Sequence, residues 1–249
     1  MISRVNTSCV RVVFDGHDIT SRWLVTGIER PAPSYSASMD DNPSGGSFLM
    51  GVRSEAAEVS FSVHITGDSS ERREQLRELA SWLAVDGARE LSFSDDLGLL
   101  YMAVPNGQGD VEHRYWRDIV TLTFAVPEPV MLGEVRTLAV PSGGSASTYV
   151  GGTAPALPVV EAPAAVRDGA THEWGVRLDD GDMLRVGIPV TGGVPVTIDC
   201  AERTATVNGS AALVTLDSDW FRLAPGRHTV AQDEGSGRCT LTWRERWFI

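Results

Sequence analysis

The chain has 249 residues, 42% of them hydrophobic and 22% charged, a balance that buries one or two ordinary cores and excludes a disordered or fibrous protein. Its 33 acidic and 21 basic residues leave a formal charge of −12, the wrong sign for gripping a nucleic-acid backbone, so nucleic-acid binding is not expected. No run of about 18 apolar residues could span a bilayer and no apolar block of signal-peptide length follows the start, so membrane insertion and Sec export are not expected either.

Val10 to Phe14 reads as a strand closed by the turn pair Asp15-Gly16, and Trp23 to Ile28 as a second strand ending before Pro31. From Pro31 to Gly46 the Pro, Ser, Asp and Gly content predicts a long mobile loop, a kind of connection that usually carries function. Phe48 to Arg53 is a further strand. In Glu58 to Thr66, Val59, Phe61, Val63 and Ile65 alternate with polar residues, as in a half-buried antiparallel strand. One clear helix is predicted over about 70–86, capped by Asp68, Ser69 or Ser70, stopped at Gly87, with Leu76, Leu79, Ala80 and Leu83 as its apolar stripe. Strands at Glu90 to Ser94, Leu99 to Val104 and Ile119 to Val126 complete a first domain over 1–133, a β-sheet or small split barrel with one packed helix.

The remainder, 134–249, contains no helical pattern, and turn signals recur about every 8 to 12 residues, as in a β-sandwich. Its predicted strands are Arg136 to Val140, Pro158 to Ala162, Glu173 to Leu178, Met183 to Val190, Val194 to Cys200, Thr204 to Val207, Trp220 to Leu223, His228 to Gln232 and Arg238 to Trp243.

Catalytic motifs are missing. There is no G-x-G-x-x-G, P-loop or G-x-S-x-G pattern, and His17, His64, His113, His172 and His228 are never spaced i, i+4 on a helix. Asp40-Asp41, Asp95-Asp96 and Asp179-Asp180-x-Asp182 fall in turn contexts where Asp bonds its own backbone, and the last lacks the spaced ligands of a calcium loop. Cys9, Cys200 and Cys239 are too few and scattered for a zinc knuckle or disulfide framework, so free buried thiols are expected. No cofactor, metal or enzymatic activity is therefore expected. Trp23, Trp82, Trp174, Trp220 and Trp243 read as core, whereas Trp116 and Trp247 have no obvious place. The apolar end Trp243 to Ile249 should dock, onto the first domain or onto a partner. Exposed indoles would suit an alternative role, a carbohydrate-binding adhesion module for host cell-wall polysaccharide. All 21 basic residues are Arg, the imprint of a GC-rich genome.

The order of features resembles the distal tail protein family of long-tailed, siphovirus-type bacteriophages, also called minor tail proteins. The likeness runs through Ile28-Glu29-Arg30-Pro31, the Gly-rich stretch, the helix with Leu79-x-x-Trp82-Leu83, Leu91-x-Phe93-x-Asp95 and Leu122-x-Phe124. It continues through Gly151-Gly152-Thr153-x-Pro155, Val207-Asn208-Gly209, Phe221-x-Leu223-x-Pro225-Gly226 and Leu241-x-Trp243-x-x-x-Trp247. Family members carry Asp-Pro-Tyr where this chain has Pro127-Glu128-Pro129. The resemblance implies a tail-tube-like first domain and a galectin-like sandwich, with the last residues returning to the first domain in some members. It implies a structural protein assembled in the host cytoplasm into the virion tail tip. There a homo-hexameric ring joins the major tail tube protein to the tail-tip hub or tail lysin of the baseplate, with receptor-binding or tape-measure proteins as further neighbours and a bore for DNA. The candidate interface or lumen residues are Ser34, Tyr35, Asp40, Asp41, Phe48, Asp95, Asp96 and Trp247.

Overall fold

The computed structural model describes residues 10–96, 98–107, 110–179, 181–189, 192–233 and 237–249; Cys9, Asp180 and Val190 lie outside these. The chain divides into two compact units, Met1–Leu132 with Phe248–Ile249, and Gly133–Trp247.

Unit 1 opens on β1 (Val12–Phe14) and β2 (His17–Asp18). A one-turn helix, α1 (Ile19–Arg22), follows between the two expected strands, where no element was expected, because the Asp18 carboxylate accepts from the Ser21 N–H at 3.1 Å and caps it. Trp23 therefore ends a helix, and β3 spans Leu24–Glu29. The expected loop over 31–46 is corrected: β4 (Tyr35–Asp41) pairs antiparallel with β5 (Ser47–Ser54), and only residues 42–46 turn between them. The backbone ladder, interrupted by one bulge, forms despite the turn-like composition, and along it Tyr35, Ala37 and Met39 alternate with Ser36, Ser38 and Asp40.

The unit continues with β6 (Ala57–Thr66), α2 (Ser69–Leu83), β7 (Arg89–Phe93), β8 (Leu100–Pro105), β9 (Asp110–Arg114), β10 (Arg117–Val126) and the start of β11 (Val130–Val140). Val59, Phe61 and Val63 of β6 lie opposite Phe124, Leu122 and Val120 of β10, so both strands bury the same face. β9 and β3 flank this pair to give the order β9-β10-β6-β3, and β8, which pairs with the last residues of β10 beyond β9, continues the sheet into β7 and β1; the sheets are not closed into a barrel. Phe61 stacks on Phe124 at 5.5 Å and meets Phe93 edge-on at 6.4 Å at the centre of the core.

Helix α2 packs Leu79 into this core, with Leu76, Trp82 and Leu83 beside it; Ala80, expected in the stripe, is exposed. Its first turn is a capping box: Asp68 accepts from the N–H groups of Ser70 and Glu71, and Glu71 accepts from the Asp68 N–H at 2.9 Å. The helix ends at Leu83, three residues before the predicted end at Asp86.

Unit 2 contains the rest of β11, then β12 (Ser145–Val150), β13 (Val159–Ala165), β14 (Glu173–Leu178), β15 (Met183–Gly187), β16 (Val194–Asp199), β17 (Thr204–Val207), β18 (Ser210–Ala212), β19 (Gly226–Gln232) and β20 (Cys239–Phe248), whose last residue belongs to unit 1. Two sheets, β18-β17-β16-β13-β20-β11 and β12-β19-β14-β15, enclose one core around Trp174, Ile198, Phe221, Leu241 and Trp243. This is the expected sandwich. The predicted strand Trp220 to Leu223 is reduced to a single bridge between Leu223 and Ala156, and β12 and β18 were not anticipated. Gly152, at φ +101°, lies against the Arg246 carbonyl so closely that a Cβ would stand 2.1 Å from its oxygen.

Candidate assembly surfaces

The β4–β5 hairpin presents the largest group of uncovered apolar side chains. Directly paired residues share a face, so Tyr35, Ala37 and Met39 lie with Val52 and Leu49, while Ser36, Ser38 and Asp40 lie with Arg53, Gly51 and Phe48. Met50 is the extra residue of a bulge between Gly51 and Leu49. Tyr35, Met39, Leu49 and Val52 are all more than half exposed, a contiguous patch of the kind that marks an interaction site, and Phe48, equally exposed, lies on the opposite face. Of the sequence candidates, this hairpin gathers Tyr35, Asp40, Asp41 and Phe48, with Ser34 just before β4 donating to Glu55 at 3.3 Å.

Asp95 and Asp96 do not join them. Both are held by Arg30, whose Nη2 reaches Asp95 at 2.5 Å and Nη1 reaches Asp96 at 3.2 Å, and whose guanidinium lies 4.8 Å from the centre of the Phe93 ring. Burial raises the Asp96 pKa, which Arg30 opposes and Asp95 reinforces; burial likewise raises the Tyr101 hydroxyl nearby. Trp247 is half-buried, with an indole N–H that finds no acceptor among the described residues.

A second surface was not visible in the sequence. Opposite their buried side, β6 and β10 present Ser60, Ser62, His64 and Thr66 against Thr123, Thr121, Ile119 and Arg117. The face is hydroxyl-rich, with Arg117 at one end; burial and then the nearby Arg117 lower the His64 pKa, which disfavours the charged ring, and Nε2 lies 2.6 Å from the Thr26 hydroxyl. At the two sides of this sheet, β3 and β9 each pair with one strand only among the described residues, leaving two open edges. Beneath the β9–β10 end, buried Asp118 meets Arg72 at 3.4 Å and His113 at 3.0 Å.

In unit 2 the strongly exposed aromatic among the described residues is Tyr149 rather than an indole. Trp174 and Trp243 are buried, and Trp220 and Trp247 are half-buried. A cavity of about 760 Å³ is lined by residues including Arg167, His172, Glu173, Ile188 and Val194, and no Trp, Tyr or Phe stands among its described lining residues. Cys200 and Cys239 are free and buried, each thiol pushed up to about 11 chiefly by burial, which makes both poor nucleophiles. Among the described residues no group of three or more His, Cys, Asp or Glu could hold a metal ion, and no helix is long and apolar enough to cross a membrane.

Comparison with known proteins bears on the whole chain. Residues 151–247 match the family described as siphovirus-type tail component, C-terminal domain. The chain is 28% identical over 229 residues to the distal tail protein of Bacillus phage SPP1, covering 88% of each sequence. The crystal structure of the SPP1 Dit protein, described as a paradigm of hub adsorption apparatus in phages infecting Gram-positive bacteria, superposes with a TM-score of 0.77 at 20% identity. It covers 96% of this chain and 99% of that one.

Proposed function

We propose that this chain, a member of the distal tail protein family of siphovirus-type phages and so a structural component of the virion tail, closes six copies into a ring. The ring caps the major tail tube protein, receives the tail-tip hub or tail lysin and the receptor-binding apparatus on its other face, and is assembled in the host cytoplasm. The observation that carries this reading is the sheet β9-β10-β6-β3 with an open edge on each side. Its strands alternate in direction, so β9 of one copy can lie antiparallel to β3 of the next and extend the sheet around an axis. Such a contact is heterologous, and it ends without free edges only by closing.

The hydroxyl face of β6 and β10 then lines the bore. Ser and Thr offer DNA no cationic grip, and counterion release, the main source of backbone affinity, has little to work with. This moves the bore-facing role away from Asp95 and Asp96, which Arg30 occupies. The apolar face of the β4–β5 hairpin fits a contact with the adjoining tube or with a neighbouring copy. The carbohydrate-binding alternative draws less support, because unit 2 keeps its indoles buried or half-buried.

Native mass measurement and negative-stain imaging of the full chain, alone and with tail tubes, test the reading. Six-membered rings are expected; copies that never close, even with tubes present, would overturn it.

A further inference from the structure

The turn between β9 and β10 has a composition that the ring itself does not explain. Arg114 and Arg117 are the last paired residues, and Tyr115 and Trp116 form the turn between them. Tyr115 is 100% exposed and Trp116 60%. Two adjacent aromatic side chains turned into water are costly unless something covers them. The tip is also held in shape: the Arg117 guanidinium lies 4.7 Å from the Trp116 ring centre, and Arg114 pairs with Glu112 at 2.6 Å. Rigid aromatics beside arginines are the side chains most often found at the centre of protein interfaces.

The molecule carries a hollow suited to receive it. A cavity of about 170 Å³, several times the ~30 Å³ share of one water, is lined by Val10, Thr20, Ser21, Arg22, Trp23, Leu24 and Val25 at the corner where α1 meets β3. Leu24 on its wall is 55% exposed. Asp18 and Glu78 stand beside the hollow, opposite in sign to Arg114 and Arg117, although each also pairs with an arginine of its own copy, Arg11 and Arg22.

Register places knob and hollow at the same end of the sheet. Arg117 pairs with Thr66, and Leu24 pairs with His64, so the β9–β10 turn and the start of β3 lie at one end but on opposite edges. Within one copy the two are separated by β10 and β6. Between copies joined edge to edge they become neighbours.

We propose that Tyr115 and Trp116 of each copy seat in the α1–β3 hollow of the next, so that the tip fixes the register of the edge contact and the angle at which the ring closes. This rests on the ring reading above and adds to it a specific knob and socket. The test is a cross-link in the full chain: Tyr115→Cys with Ser21→Cys in a Cys9→Ser background, treated with a thiol oxidant. The expected product is a ladder of covalent multimers ending at the ring, absent from either single-cysteine variant. In parallel, Tyr115→Ala with Trp116→Ala, both solvent-facing, should leave the melting temperature of the single copy unchanged and raise the concentration at which rings form by about tenfold or more. Rings that form without the cross-link and at unchanged concentration overturn the knob and socket and leave the ring standing. A chain that forms no ring, alone or with tubes, overturns both.

Discussion

Asp68 shows how one carboxylate ties sequence, helix and pH together. The N–H groups of Glu71 and Ser70 bond its charged form and hold its pKa below the ordinary 3.8. Such a group stabilises the fold fully above its ordinary value, and that stabilisation fades as pH falls through the lowered one. Asp68→Asn keeps the cap, since Asn caps as well as Asp, but removes the titration; urea melts between pH 2 and 6 should then show a shallower acid decline than the parent, on the order of one proton's slope less. The opposite sign holds at Asp96, whose pKa is raised by burial and reinforced by Asp95. There the folded state takes up a proton more readily than the unfolded one, so falling pH favours folding through this group. Arg30→Ala leaves two like charges together and should cost about 1 kcal/mol at pH 7, allowing for solvent screening at these partly exposed groups. The deficit should shrink as pH is lowered toward the carboxylate range, and a deficit that stays constant from pH 7 to 4 in chemical melts would refute the account.

At the scale of elements, legibility followed burial on one face. Strand β6 and helix α2 were readable because their apolar residues recur at 2 and near 3.6 residues, and a core enforces those periods. Strand β14 matches its predicted bounds for the same reason, with Trp174, Val176 and Leu178 buried. Strand β4 reads as a loop because its Ser and Asp residues suit turns and neither of its faces is covered, and the alternation of Tyr35, Ala37 and Met39 is its one strand-like signal. Strand β9, Asp-Val-Glu-His-Arg, has almost no strand propensity and forms because the long strand β10 offers it backbone partners. The hairpin's contribution therefore belongs to assembly rather than to the single copy. Met39→Glu with Leu49→Glu changes solvent-facing side chains, so single-copy stability should move by no more than about 0.5 kcal/mol. Co-sedimentation with tail tubes or ring yield should fall sharply. A double variant that melts early would instead place the hairpin inside the fold. In unit 2 the close approach at Gly152 is an element-level constraint, because it seats the start of the sandwich against the Arg246 backbone. Gly152→Ala should destabilise by roughly 3 kcal/mol, from overpacking and a positive φ together, measurable as a shift in the urea midpoint.

At the scale of the whole molecule, sequence order carried what individual motifs could not: the likeness to siphovirus-type tail proteins and the fold were legible, whereas the surfaces that would join copies were not. Open edges and an exposed turn arise only once β10 has partners on both sides, and no local pattern encodes them. Trp243 to Ile249 is too apolar to fray, and the structure assigns Phe248 and Ile249 to unit 1, where Ile249 packs against the first core and its N–H donates to the Pro129 carbonyl at 3.4 Å. Those two residues therefore act on a unit more than a hundred positions earlier in the chain. Deleting them removes an apolar contact and one backbone bond from the start of β11 and touches none of the core around Trp174 and Leu241. Amide exchange should accelerate at residues 130–132 and at the facing Leu100 and Tyr101, while β14 and β16 keep their protection. Equal loosening of both units would mean that the tail acts through β20 as a whole, and unchanged exchange at residues 130–132 would mean that its last two residues do not stabilise unit 1.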